Sequence, residues 1–270
     1  MYSLDLSGKK GVVFGVTNQR SIGWAISEKL AQAGTQLAFS FQGERLKGTL
    51  EKLTSGLPNP LLLQCDVTQD NELDAVFDQL GTEFGKLDYL VHSVAFAPPI
   101  TFEKPFYEVS REDWATAMDI SAYSLVAMAK RAQPLMNEGG SLLALSYLAA
   151  ERVVPHYNMM GVAKAALEAS VRFLAYDLGP QGVRVNAISA GPLRTIAARS
   201  ISGFGGMFEV AGKLSMLRRN ITQEEVGGMA LSLLTEELGG GVTGETVYVD
   251  AGYNAMGMFL DEATEQTNPT

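Results

Sequence analysis

Between residues 10 and 249, short apolar runs alternate with longer segments of helical period. This alternation restricts the fold more than any other feature of the sequence. Residues 10–16 (KGVVFGV) read as a buried strand. Residues 21–33 read as a helix, with Ile22, Ala25, Ile26, Leu30 and Ala33 as its apolar positions and Gly34 as its stop. Further strands are predicted at 36–41, 61–65, 87–93, 141–146, 183–188 and 245–249. Further helices are predicted at 43–54, 70–84, 111–133, 157–178 and 222–235. Strict alternation through short loops gives a parallel sheet with helices on both faces. With right-handed crossovers this is an α/β, Rossmann-like doubly wound parallel sheet of about seven strands.

The 270 residues suffice for one such core. No linker or repeat divides them, so residues 1–260 read as a single dinucleotide-binding domain. Residues 195–219 are less regular, with glycine at 203, 205, 206 and 212. Residues 261–270 carry few apolar groups and read as a frayed tail.

The net charge of −9 argues against nucleic acid or an anionic membrane as the main partner, since phosphate binding needs clustered Lys and Arg. No apolar run is long enough for a membrane span. Cys65 is the single cysteine, and His92 and His156 are the only histidines, so neither an intrachain disulfide nor a Cys/His metal centre is expected. A lone thiol and a start without a signal pattern fit a cytoplasmic protein.

The candidate site residues fall at the carboxyl ends of the predicted strands. After the first strand comes GVTNQRSIG, from Gly15 to Gly23. A dinucleotide pyrophosphate would sit at this turn, where the helix N-terminus leaves backbone N–H groups free. Gly15 permits close approach, and Ser21 can cap the helix and donate to phosphate. The turn lacks G-x-G-x-x-G, and an ordinary strand–loop–helix fits it equally. Gln42 ends the second strand. It can bond a ribose hydroxyl but offers no charge to a 2′-phosphate, which favours NADH over NADPH. Asp66 and Val67 follow the third strand, where the carboxylate suits an adenine amino group or an ordinary cap. Ser93 and Val94 end the fourth strand, where small residues let the nicotinamide half pass close to the backbone.

Tyr147 follows the fifth strand. Tyr157 and Lys164 open the next helix seven residues apart, on one face and roughly 10 Å apart along the axis. That spacing suits a Lys that reaches a cofactor ribose lying under the Tyr hydroxyl. A nearby ammonium would also lower the phenol pKa. Taken alone, outside the dinucleotide frame, the pair fits an amphipathic helix surface better than a site.

In combination these motifs resemble the bacterial NADH-dependent (type I) enoyl-acyl-carrier-protein reductases of the short-chain dehydrogenase/reductase superfamily. The motifs are Gly15-x5-Ser21-Ile22-Gly23, Cys65-Asp66-Val67, His92 to Pro98 (HSVAFAP), Tyr147, Tyr157-x6-Lys164 and Ser189 to Thr195 (SAGPLRT). The resemblance runs from about residue 4 to 258. Most of the superfamily places Lys four residues after Tyr, where this chain has Gly161.

The resemblance implies Tyr147, Tyr157 and Lys164 as catalytic residues. Gly15, Ser21, Ile22, Gln42, Asp66, Val67, Ser93, Val94, Lys164, Leu193, Thr195 and Ala197 would line the cofactor. Ala97, Tyr147, Tyr157, Met160, Phe204 and Met207 would contact substrate, with 195–219 as a lid. It implies hydride transfer from NADH to the β-carbon of a trans-2-enoyl thioester, with Tyr157 stabilising the enolate oxygen. It also implies an acyl-carrier protein as partner and a homotetramer. Two other readings stay open: a short-chain reductase acting on a ketone or alcohol, and a dinucleotide sensor without catalysis. Near the implied lid, Arg194, Arg199, Lys213, Arg218 and Arg219 face only Glu209 in charge, a basic rim that could orient an acidic carrier.

Overall fold

The computed structural model describes residues 4–196, 198 and 203–258. Among them, seven parallel strands form one sheet in the order β3-β2-β1-β4-β5-β6-β7. In chain order the elements are β1 (Lys10–Phe14), α1 (Ile22–Gln32), β2 (Gln36–Phe41), α2 (Glu44–Thr54), β3 (Leu61–Gln64), α3 (Asp70–Phe84) and β4 (Leu87–His92). There follow α4 (Ile100–Glu103), α5 (Arg111–Met118), α6 (Ser124–Ala132), β5 (Met136–Ser146), α7 (Asn158–Leu178) and β6 (Arg184–Ala190). The last are α8 (Phe204–Leu214), α9 (Gln223–Leu234), α10 (Glu236–Gly239) and β7 (Thr246–Val249).

The strands are apolar on both faces because both are covered. Val12, Phe14, Leu90 and Leu142 point to one side, against Leu80 of α3, Leu125 and Met128 of α6, and Leu167 and Val171 of α7. Their neighbours Val13, Val91 and Leu143 point to the other, against Ile26 and Leu30 of α1, Leu50 of α2 and Val226 and Ala230 of α9. Helices α1 and α9 meet closely: a Cβ on Gly227 would lie 2.8 Å from the Ala25 carbonyl oxygen. This double-sided layering is the doubly wound arrangement the alternation implies.

Three elements differ from the sequence expectation. The helix expected at 111–133 is interrupted by one π-helical turn, Asp119–Tyr123. Two serine hydroxyls explain the interruption. Ser121 Oγ both accepts from Phe96 N at 2.9 Å and donates to Phe96 O at 2.8 Å, and Ser124 Oγ donates to Ile120 O. Ser121 thereby ties the helix to the loop after β4, Ser124 also bonds His92 on β4 itself, and a π-bulge re-phases the backbone to allow both. β5 starts at Met136 rather than 141. Met136 pairs with Leu87 and Ser141 with Tyr89, so residues 137–140, including Gly139 and Gly140, form a bulge that the sequence pattern does not show. Finally, 204–214 of the irregular segment is an ordinary helix, α8, whose three glycines had weakened its periodic signal.

Candidate active site

The strand order reverses between β1 and β4, and the crevice beyond their carboxyl ends is where this architecture binds ligands. Gly15 and Ser93 face each other there. Ser93 N donates to Phe14 O at 2.9 Å, carrying the β1–β4 pairing one residue past the end of β4. Gly15 has φ +94° and fits closely against the Ser93 backbone. The turn then delivers Ser21 and Ile22 to the start of α1. Ser21 is the N-cap in backbone conformation, but its hydroxyl donates to Asn18 O at 2.7 Å. The expected side-chain cap is therefore absent, because the longer turn places its own carbonyl within reach.

Gln42 and Asp66, from neighbouring strand ends, bond each other: Gln42 Nε2 donates to Asp66 Oδ2 at 2.8 Å. Asp66 Oδ1 accepts from Thr68 N and Thr68 Oγ1, and Glu72 accepts from Asp66 N. Partial burial pushes the Asp66 carboxyl up, but the Thr68 and Gln42 bonds outweigh it and hold it below its usual range. Asp66 is thus a turn-forming acceptor on one oxygen, while its other oxygen holds Gln42 of the neighbouring strand end. Val67 and Val94 are partly buried against the core. Leu193 is buried, and Thr195 Oγ1 accepts from Ala198 N. Ala197 lies outside the described residues.

The other half of the site rises from β5 and α7. Tyr147 follows β5 directly. Tyr157 is the N-cap of α7, and the two rings lie 4.8 Å apart at 51°. The backbone on either side of Tyr157 is left-handed, with φ 65° at His156 and 39° at Asn158. Asn158 Nδ2 anchors this bend by donating to Thr101 O and Lys104 O at the end of α4. Burial first, and then Tyr147, push the Tyr157 phenol above its ordinary value, while burial raises Tyr147 to about 12. The expectation of a phenol lowered by Lys164 is thereby corrected: burial dominates, and both tyrosines remain protonated hydrogen-bond donors. Lys164 is buried two turns into α7, and its Nζ donates to Leu145 O at 2.6 Å. Burial brings its ammonium down to about 8, against a raising effect of Glu168.

Ala97 and Met160 are brought together, but as members of a buried apolar cluster with Phe102, Ala117, Met159 and Ala163, on which Tyr157 packs. Phe204 and Met207 lie on α8, half-buried. That helix is held to the 193–195 segment by the Arg194 guanidinium, 4.4 Å from the Phe208 ring centroid. The basic rim is weaker than its residue count. Arg219 forms a two-toothed pair with Glu225, just beyond the segment counted, and Arg218 Nη1 donates to Lys213 O. Arg199 lies outside the described residues. Among the described residues no acidic, His or Cys cluster could hold a metal ion. Burial pushes the Cys65 thiol up to about 12, so it is inert. No described helix is long and apolar enough to cross a membrane.

Residues 15–254 match the family model described as enoyl-(acyl carrier protein) reductase. The chain belongs to this family. Among its enoyl-acyl-carrier-protein reductase relatives, the enzyme named enoyl-(acyl-carrier-protein) reductase (NADH) 1 of Rhizobium meliloti is 49% identical, over 96% of this chain and 95% of its own. The Bacillus cereus enoyl-acyl carrier protein reductase, solved with NADP+ and indole naphthyridinone, superposes with a TM-score of 0.92 at 47% identity, covering 95% of this chain and all of the other. The Anaplasma phagocytophilum reductase, solved in complex with NAD, gives 0.89 at 45% identity, over 95% and 96% of the two chains.

The sequence motifs did not reveal Ser121, Ser146, Asn158 or Glu168. One usable signal was present for Glu168: it stands four residues after Lys164, on the same helix face.

Proposed function

We propose that this enoyl reductase family member uses NADH to reduce the trans-2 double bond of enoyl thioesters carried on an acyl-carrier protein. The observation that carries the reading is the half-buried Tyr147–Tyr157 pair, formed where the end of β5 meets the start of α7, the helix that carries Lys164. The cleft fits a dinucleotide: Gly15, without a side chain, lets the turn close on Ser93, α1 presents its free N–H groups, and Gln42 and Asp66 line the far strand ends. Ser21, Ile22, Val67, Ser93, Val94, Leu193, Thr195 and Ala197 complete its lining, and the nicotinamide ring supplies the hydride.

Tyr157 donates to the thioester carbonyl, where negative charge gathers as the β-carbon is reduced. A preorganised donor at such an oxyanion contributes about 3 kcal/mol. A phenol kept neutral by burial suits that task. Tyr147 packs on Tyr157 and fixes its ring. Lys164 holds the nicotinamide ribose. The acyl chain lies against Ala97, Met160, Phe204 and Met207, with 195–219 as a lid over it. The lack of a basic residue at Gln42 supports NADH over NADPH. The protein works in the cytoplasm as a homotetramer, with Phe173 and Tyr176 of α7, exposed in the single chain, as interface residues.

Initial rates with a crotonyl thioester, comparing NADH with NADPH and then with an acetoacetyl thioester, test the reading. Crotonyl reduction with NADH should be fastest. Faster acetoacetyl reduction would turn the assignment to a ketone reductase.

A further inference from the structure

Two charged side chains lie four residues apart on α7 and point into the protein. Lys164 and Glu168 are each 5% exposed. A buried charge pair is rarely better for stability than an apolar pair of similar size, so its presence points to another role. Both reach the end of β5. Lys164 Nζ donates to the Leu145 carbonyl at 2.6 Å, and Ser146 Oγ donates to Glu168 Oε1 at 2.5 Å. The next residue is Tyr147. A single turn of α7 therefore grips the two residues that deliver this tyrosine to its partner Tyr157.

We infer that Glu168 is a positioning residue of the reductase: through Ser146 it fixes the strand end that carries Tyr147, and its carboxylate is the counter-charge to Lys164. The two do not form a direct ion pair, so the second effect acts through space across a dry interior, where charges are poorly screened. Other groups face the pair from every side. His92 of β4 lies near Lys164. Glu151 beyond β5, Arg172 of α7 and Tyr248 of β7 lie near Glu168. Burial pushes the Glu168 carboxyl up and Glu151 adds to this, while the Ser146 bond, Arg172 and Lys164 favour the charged form. Glu168 is the one group that raises Lys164 against burial.

The inference rests on the reading that Lys164 acts as an ammonium. The experiment is the pH profile of kcat/KM for NADH at saturating crotonyl thioester, resolved into kcat and the KM for NADH, for the unmodified protein, E168Q, E168D and S146A, with thermal unfolding of each. The unmodified enzyme should lose activity as pH rises through about 8, where Lys164 gives up its proton. E168Q keeps an acceptor for Ser146 but loses the charge, so its alkaline limb should move about one pH unit lower. S146A should leave the limb in place and cut kcat about tenfold without changing the KM for NADH. E168D should fall between E168Q and the unmodified enzyme, and it supplies the same readout if E168Q fails to fold. An unmoved limb in the Glu168 variants, or undiminished kcat in S146A, overturns the inference while leaving the role of Lys164 intact. A flat alkaline profile in the unmodified enzyme counts against the Lys164 reading, and the inference falls with it.

Discussion

Gly15 and Ser93 meet so closely at the strand-order reversal that a Cβ added to Gly15 would lie 2.1 Å from the Ser93 carbonyl oxygen. The obstacle is backbone, and the glycine φ of +94° disfavours any L side chain as well. Gly15→Ala should therefore lower stability by about 1–3 kcal/mol and push the turn away from the cofactor crevice. NADH affinity, measured by fluorescence titration, should weaken at least about tenfold. Unchanged affinity would mean that the cofactor does not use this turn.

Tyr157 and Lys164 should separate in their effects. Tyr157→Phe removes the donor to the developing oxyanion and should lower kcat about 100-fold with little change in NADH affinity. Lys164→Ala should weaken NADH. Equal loss of NADH affinity in both variants would contradict this division of labour.

The start of α9 carries a complete capping box. Thr222 Oγ1 accepts from Glu225 N, and Glu225 Oε2 accepts from Thr222 N, while the same carboxylate pairs with Arg219. Thr222→Ala should cost about 1 kcal/mol and lower Tm by about 2–4 °C. The Arg219 bond first, then the Thr222 backbone bond, hold the Glu225 carboxyl at about 2. Its contribution is present above the unfolded value and lost as pH falls from about 4.5 toward 2. Glu225→Gln should flatten that part of the acid unfolding curve.

His92 is wholly buried, with Nε2 bonded to Ser124 Oγ at 2.7 Å and Nδ1 without a partner. Burial, reinforced by Lys164, lowers its pKa from 6.5 to about 3. Between those values the unfolded chain binds a proton that the folded chain does not, so stability falls as pH drops. His92→Gln, which can still reach Ser124, should make Tm less sensitive to pH between about 6.5 and 4, as differential scanning calorimetry would measure.

Arg218 and Arg219 should differ toward an acidic carrier protein. Arg218→Glu should raise the KM for a carrier-linked enoyl substrate at low salt. Arg219→Glu should mainly lower Tm, because it breaks the Glu225 pair. A carrier KM that ignores both reversals and salt would remove this rim from the docking surface.

The sheet was legible in the sequence because covered strands are short apolar runs, and residues 12–14 and 142–145 are clear cases. Tyr147, Tyr157 and Lys164 were legible through spacing and resemblance. The π-turn was not, because Ser121 and Ser124 look like ordinary helix residues until Phe96 and His92, which they bind, are in place. Helix α8 was hidden by its glycines. The pKa direction of Tyr157 also escaped, since burial is a property of packing and leaves no mark on a motif. Glu225 fell just outside the charge window that made the basic rim look unopposed.

The left-handed backbone at His156 and Asn158 makes the seat of Tyr157 a loaded spring. Asparagine tolerates such angles better than most side chains, and its amide also supplies the tether to residues 101 and 104, so Asn158→Gly would relieve little strain, lose both bonds and loosen the unfolded chain. The resulting protein would unfold earlier and turn over more slowly, its tyrosine free to wander from the oxygen it must meet.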